Sequence, residues 1–208
     1  MNNRKGSPLL IATNNQGKVK ELQNLLKDTG IELITPAQID LELDVIEDGH
    51  TYAENAAKKA VAFAQASGLI SLADDSGLEV DALGGAPGLY SARYGSSNGE
   101  KLSDKGRRAY LIQNLKDKPR PWTARFHATI AIAVPNGEPY LTEGFCEGEI
   151  IPQERGAGGF GYDPIFLLTE LRKTMAELSM EEKNRLSHRA RAVLNAKPVL
   201  KVLVSKTG

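Results

Sequence analysis

Between residues 8 and 30 the chain changes its hydrophobic period. Residues 8–13 read PLLIAT, a short unbroken apolar run that stops at Asn14 and Asn15. From there GKVKELQNLLKDTG places Val19, Leu22, Leu25 and Leu26 at helical spacing, with Gly30 where a helix stop is expected. A short continuous run suits a strand buried on both faces, and the 3–4 spacing suits an amphipathic helix. A strand, a polar turn and a helix in immediate succession commit the chain to an α/β arrangement.

The remainder continues the alternation. Residues 31–35 form a second short strand candidate. Thr51 and Glu54 make a capping-box pattern ahead of an Ala-rich helix that runs to about Ser67. Residues 69–73 are a buried strand, expected to end at Asp74, Asp75, Ser76 and Gly77. The stretch DALGGAPGLYSARYG is a structured loop. A helix is expected over residues 102–115 and a strand over 125–134. The turn Pro135-Asn136-Gly137 leads to a returning strand from Glu138 to Ile151. Ser179 and Glu182 form a second capping box. In the last helical region Leu186, Ala190, Val193 and Leu194 fit one face, and Pro198 is expected to end or kink it. The fold class is therefore α/β with a mixed sheet.

Composition excludes several functions. The chain has 208 residues, 41% hydrophobic and 25% charged, which suits one globular domain with a sizeable core. Lys plus Arg and Asp plus Glu both number 26, so no general attraction to a nucleic-acid polymer is expected. Cys146 is the single cysteine, read as a small strand residue. No apolar run approaches the ~20 residues of a membrane span, and no signal-type stretch opens the chain. The expectation is a soluble cytoplasmic protein without membrane partners, residues 1–7 being a flexible extension.

Four segments could carry chemistry. Thr13, Asn14, Asn15, Gln16, Gly17 and Lys18 lie between a strand and a helix N-terminus, where backbone N–H groups suit an anion. The alternative is an Asn-rich turn that caps a helix. It is not a Walker loop, because Ala12 and Val19 break that pattern. At Asp74-Asp75-Ser76-Gly77, adjacent carboxylates in extended chain point to opposite faces, so one aims at a site and the other needs a structural partner. The acidic stretch of Asp44, Glu47 and Asp48 could add a metal ligand; a solvated acidic turn is the alternative. Four glycines with Phe160 and Tyr162, in GAGGFGYDP, suit a flat base, or else a tight turn with aromatic core anchors. Lys183, His188 and Arg189 supply donors, or else a solvated basic face. Lys183 and His188, five apart, would sit about 140° apart on one continuous helix. If both line a site, the helix must break, with Ser187 opening a new one. His50 and His127 are read as structural.

Together the segments TNNQGK, ENAAKKA, ADDSGLEVDALGGAPGLYSARYG, GFGYDPIF and SHRA resemble the HAM1 or RdgB-type inosine/xanthosine triphosphate pyrophosphatases. The resemblance runs from about Leu9 to the last helix. It implies an elongated two-lobed fold with a central mixed sheet flanked by helices, a cleft between the lobes, and a homodimer. It also implies hydrolysis of ITP, dITP and XTP to monophosphate and pyrophosphate with Mg²⁺. On matching positions, residues 13–18 bind the triphosphate, Glu47 and Asp75 hold the metal, and Asp75 is the catalytic base. Ser76 contacts substrate. Phe160, Gly161, Tyr162, Asp163, Lys183, His188 and Arg189 hold the base and phosphates. Asn14 stands where many members have glycine, which matters if that position needs a left-handed backbone. The GFGYDPIF and SHR segments favour purines over the pyrimidine or modified nucleotides of Maf-like enzymes.

Overall fold

The computed structural model describes residues 7–96 and 100–206. Of the extension expected over residues 1–7, residues 1–6 lie outside the described part. Seven strands form one mixed sheet in the order β2-β1-β3-β4-β5-β6-β7. These are β1 (Leu9–Ile11), β2 (Leu33–Ile34), β3 (Ile70–Val80), β4 (Thr123–Ala133), β5 (Tyr140–Ile150), β6 (Phe166–Leu168) and β7 (Lys173–Thr174). β1 pairs in parallel with β2 and β3, whereas β5–β6 and β6–β7 are antiparallel. The helices are α1 (Gln16–Leu26), α2 (Tyr52–Ser67), α3 (Asp104–Leu115), α4 (Met180–Leu186) and α5 (His188–Lys206). No helix among the described residues is long and apolar enough to cross a membrane.

The chain divides into two compact units. The first comprises residues to Asp75, Ala128–Gly144, and residues from Arg189 onward; the second comprises Ser76–His127 and Phe145–His188. In the first unit alternate strand residues face alternate layers. Leu9, Ile11, Ile70, Leu72, Ile130 and Ile132 pack with Leu22 and Leu26 of α1 and with Val193 and Leu200 of α5. Leu10, Ala12, Ala73, Ala131 and Ala133 pack with Ala56, Ala60, Phe63 and Ala64 of α2. Both faces are covered, which is why residues 8–13 carry no polar alternation. In the second unit Leu78, Val80, Leu111, Leu115, Trp122, Phe126, Ile150 and Phe166 form the core.

Three expectations need revision. β3 does not end at Asp74 but continues to Val80. A strand can carry these polar residues because Asp74 is fully partnered inside the first unit. The break that a shared site for Lys183 and His188 requires is present: α4 ends at Leu186, Ser187 is extended (φ −69°, ψ 154°), and α5 begins at His188. Pro198 lies inside α5, which runs on to Lys206 rather than ending there. Leu194 is exposed, and Ala190, Ala192, Val193, Ala196 and Leu200 form the buried face instead.

The first unit is also organised by a buried ionic group. Asp74, with its side chain fully enclosed, pairs with Lys18 Nζ of α1 at 2.7 Å and with Arg189 Nε of α5. Arg189, 2% exposed, also pairs with Glu21 of α1. Burial alone would raise the Asp74 carboxyl, but Arg189 and Lys18 overcome it and hold Asp74 far below the usual carboxylate range. Burial opposes the Arg189 charge as well, and Asp74 and Glu21 reverse that, raising its pKa.

Removing one partner strands the others as buried, uncompensated charges, which costs about 3–5 kcal/mol. Asp74→Asn is therefore expected to lower stability by about that amount in urea denaturation. The sign with pH follows from the depressed folded value. The Asp74 contribution is complete above the unfolded carboxyl value of about 3.9 and is lost as pH falls through the folded one. The variant should flatten this acid limb of Tm against pH; a loss below ~1 kcal/mol with an unchanged limb would contradict the assignment.

Candidate active site

The first unit presents an anion-type turn at the start of α1. Asn15 is its N-cap, accepting from the Lys18 amide at 3.1 Å, and its own amide donates to the Thr13 hydroxyl at 3.2 Å. The amides of Gln16 and Gly17, in the first turn, have no intrahelical acceptor, so they remain suited to an oxygen anion. Asn14, Asn15 and Gln16 are exposed, while Thr13, Gly17 and Lys18 are half-buried. Asn14 is not among the residues with left-handed backbone, so the asparagine is not there to relieve strain. It borders an open cavity of about 850 Å³ shared with Ala37, Asp40, Leu41, Glu42, Leu43 and Asp44.

Two lysines converge on the main chain of β3. The Asp74 carbonyl accepts from Lys18 Nζ at 3.3 Å and from Lys59 Nζ of α2 at 2.9 Å. Burial, joined by the nearby Lys59 and Arg189 charges, holds Lys18 below its ordinary value although Asp74 opposes this. Lys59 Nζ also contacts Asp75 Oδ1 at 3.2 Å and Glu47 Oε1 at 3.0 Å. Burial works against the Lys59 charge, and Asp75 with Glu47 outweighs it, so its pKa is raised. Asp75 is 7% exposed; burial raises its carboxyl, and the cations offset only part of that. Glu47 is exposed on the loop before α2, and Ser76 follows Asp75 half-buried on β3.

As expected of successive strand residues, Asp74 and Asp75 have different partners: Asp74 takes Lys18 and Arg189, and Asp75 takes Lys59. Among the described residues no cluster of three or more His, Cys, Asp or Glu side chains gathers for a metal. The pair Glu47 and Asp75 nonetheless aims one oxygen each at a single positive centre, the Lys59 ammonium. Two hard carboxylate oxygens around a cation position match Mg²⁺, which takes few protein ligands and completes its shell with water and phosphate.

Lys59 was not singled out from sequence, although a signal existed. Residues 56, 60, 63 and 64 define the apolar stripe of α2, and Lys59 falls on it. A lysine on a core-facing stripe needs a partner, and here it has two carboxylates. Glu21, buried on α1 beside Leu22, carries the same signal.

The second unit holds the glycine-aromatic loop. Asp163, 4% exposed, accepts from the Phe160 amide at 3.0 Å and from Lys183 Nζ of α4 at 2.7 Å. Lys183 Nζ also lies 5.4 Å from the centre of the Phe160 ring. A Cβ at Gly159 would overlap the Asp163 carboxylate, so the loop closes this tightly only with glycine there. Gly161 has φ +61°, a conformation that favours glycine. The Tyr162 hydroxyl donates to the Ser91 carbonyl at 3.0 Å, and burial pushes its pKa up. His188, 5% exposed, stacks on Phe126 with centroids 4.7 Å apart.

The break at Ser187 gives Lys183 and His188 separate helices, as a shared site requires. Arg189 differs from the base-donor role expected of it, since its guanidinium is engaged with Asp74 and Glu21. Consecutive helical residues point about 100° apart, so His188 and Arg189 do not act in one direction. His127, read as structural, stacks on Phe145 and lies 3.4 Å from Glu79, and Cys146 is buried on β5.

Comparison with known proteins places these features in a family. The Ham1 family model matches residues 9–199. A dITP/XTP pyrophosphatase of Desulforamulus reducens is 50% identical over 193 residues, covering 92% of this chain and 94% of its own. That of Bacillus subtilis is 45% identical, covering 88% and 92%. Among solved structures, the Ham1 protein of Staphylococcus aureus has a TM-score of 0.81 at 39% identity, over 94% of this chain and 99% of that one. A HAM1 protein of Coxiella burnetii gives 0.82 at 38%, over 93% and 98%. With a family match over nearly its whole length and relatives near half identity, the chain belongs to the Ham1 family.

Proposed function

We propose that this chain hydrolyses non-standard purine nucleoside triphosphates (ITP, dITP and XTP) at the α–β phosphoanhydride bond, releasing monophosphate and pyrophosphate. The observation that carries the reading is the meeting of Lys18 and Lys59 on the Asp74 carbonyl, beside the buried Asp75 carboxylate. Two ammonium groups gathered on the main chain of β3 suit a polyphosphate, and an adjacent carboxylate of raised pKa suits a proton acceptor. The relatives named dITP/XTP pyrophosphatase supply the substrate class.

The residues divide the work as follows. Thr13, Asn14, Asn15, Gln16 and Gly17 hold phosphate oxygens with amides and side chains, and Lys18 offsets charge on the departing pyrophosphate. Asp75 orients a water toward the α-phosphorus and accepts its proton. Burial raises the proton affinity of this carboxyl, which favours acceptance. Ser76 contacts the substrate alongside. Glu47 and Asp75 would hold Mg²⁺, which when bound neutralises phosphate charge and polarises the phosphoryl group. Lys59, which contacts both of these carboxylates, would lie beside the phosphates and offset their charge.

In the second unit Phe160 offers a face for the purine, and Lys183 and His188 supply donors to the base. Donors at a 6-oxo group would be left facing the 6-amino group of adenine, and such a buried mismatch can cost up to ~10⁴–10⁵-fold in specificity. Arg189 serves by holding Asp74, and Asp163 by holding the loop. The family resemblance is what supports a homodimeric, Mg²⁺-dependent cytoplasmic enzyme.

Two measurements test this. Asp75→Asn should keep the fold and lose at least ~10²-fold in kcat, the low end for a general base; near-normal turnover in a folded variant would sink the role. With Mg²⁺ present, kcat/KM for dITP or XTP should exceed that for dATP by at least ~10²-fold, well inside the range a donor mismatch allows. Products should be monophosphate and pyrophosphate, and chelation should abolish turnover. Equal kcat/KM for dITP and dATP, or release of diphosphate and phosphate, would contradict the reading.

A further inference from the structure

The loop assigned to the base is gripped from outside itself. Asp104, the first residue of α3, accepts from the Gly161 amide at 2.6 Å through Oδ2. Its other oxygen pairs with Arg107 one turn on, whose Nη1 in turn donates to the Leu102 carbonyl at 2.7 Å. Arg108 places Nη1 on the Gly161 carbonyl at 2.8 Å. Its Nε and Nη2 bind both oxygens of Glu154, each at 2.9 Å. Gly161 is therefore held on both sides, at N–H and at C=O, by residues one turn apart on one helix. Glu154, ahead of the four-glycine segment, is held by the same guanidinium.

This arrangement has a purpose that packing does not explain. Phe160 and Gly161 are only half-buried, whereas Tyr162 and Asp163 beside them are buried, so burial restrains one side of the loop and not its tip. Gly161 has left-handed backbone and open space around its Cβ position, which leaves it free to rotate without external bonds. Arg108 has the means to restrain it, because its planar fork satisfies a carboxylate and a carbonyl together, and its side chain is 11% exposed.

We propose that Asp104 and Arg108 are positioning residues for base recognition: they fix the Gly161 peptide and thereby the face that Phe160 presents. This rests on the reading that the loop of Phe160–Asp163 holds the base. The partners of both residues (Gly161, Glu154 and Arg107) lie in the second unit. Losing either should weaken binding of the nucleotide in ground and transition state alike, which raises KM and spares kcat.

The test uses the full-length enzyme with Mg²⁺. Arg108→Met and Asp104→Ala should each raise KM for dITP about tenfold, in line with the loss of one charge-assisted hydrogen bond, with kcat within about twofold. Inhibition by inorganic pyrophosphate, a probe of the phosphate end, should be unchanged. Deuterium uptake of the peptide covering residues 157–163 should quicken without nucleotide. If Arg108→Met fails to fold, Arg108→Lys replaces it; one ammonium cannot hold the carbonyl and both carboxylate oxygens, so a smaller KM rise is expected. Unchanged KM and uptake, or a parallel loss of pyrophosphate inhibition, would overturn the proposal. Phe160→Ala separates the two levels. A KM rise there without one in the α3 variants removes the clamp alone, whereas unchanged KM for Phe160→Ala removes the base reading and the clamp with it.

Discussion

The Asp74 side chain has no exposed surface, yet it carries a full charge between two cations from helices far apart in sequence. An isolated carboxylate could not stay ionised there. Lys18 and Arg189 make it possible, and in return Asp74 determines where α1 and α5 begin relative to β3. Arg189 is the second residue of α5, so it is tied to Asp74 right after the break at Ser187. Lys18 lies in the first turn of α1, so the same carboxylate fixes the turn that offers amides to an anion. The main-chain carbonyl of Asp74 then draws Lys59 in from α2. One residue thus locates three helices of the first unit, while its neighbour, Asp75, takes the separate partner Lys59.

Much of this was legible in the order of residues, for reasons that differ by element. Buried strands and amphipathic helices follow hydrophobic period, so residues 8–30 and the Ala-rich α2 lie close to where their patterns placed them. The Ser179–Glu182 capping box forms in full, whereas at Thr51 only the Glu54 amide is capped and the Glu54 carboxylate accepts from His50 instead. Strand ends were less legible, because a polar residue inside a strand looks like its end unless its partners are known. β3 runs through Asp74 and Asp75 because Lys18, Arg189 and Lys59 come from distant segments. Pro198 does not end α5, which runs on to Lys206.

At the site, residue types were easier to read than the partners they take. Motif order pointed to Asp75, Lys18 and the Phe160 loop. It did not separate a side chain that meets substrate from one that holds another side chain. Arg189 and Asp163 both belong to segments read as ligand-binding, yet their charges are satisfied within the protein by Glu21 and Asp74, and by Lys183. Asp104 and Arg108 carried no signal at all, since a charged first turn is ordinary for a helix. Their meaning comes only from Gly161, more than fifty residues away in the chain.

The two units solve the same problem by different means. Around Asp74 the site is stiff because charges are buried, where water cannot compete and each pair counts heavily. Around Gly161 the proposed role requires a loop tip accessible to a flat ligand, so burial holds only Tyr162 and Asp163 and not the tip itself. Short, charged hydrogen bonds from a helix can replace it, provided that they reach backbone atoms and leave the aromatic face clear. Arg108 and Asp104 bond to the backbone C=O and N–H of Gly161. A restraint of that kind limits the angle of the ring without occupying its surface. A base-recognition loop needs that combination if it is to distinguish purines by their edges.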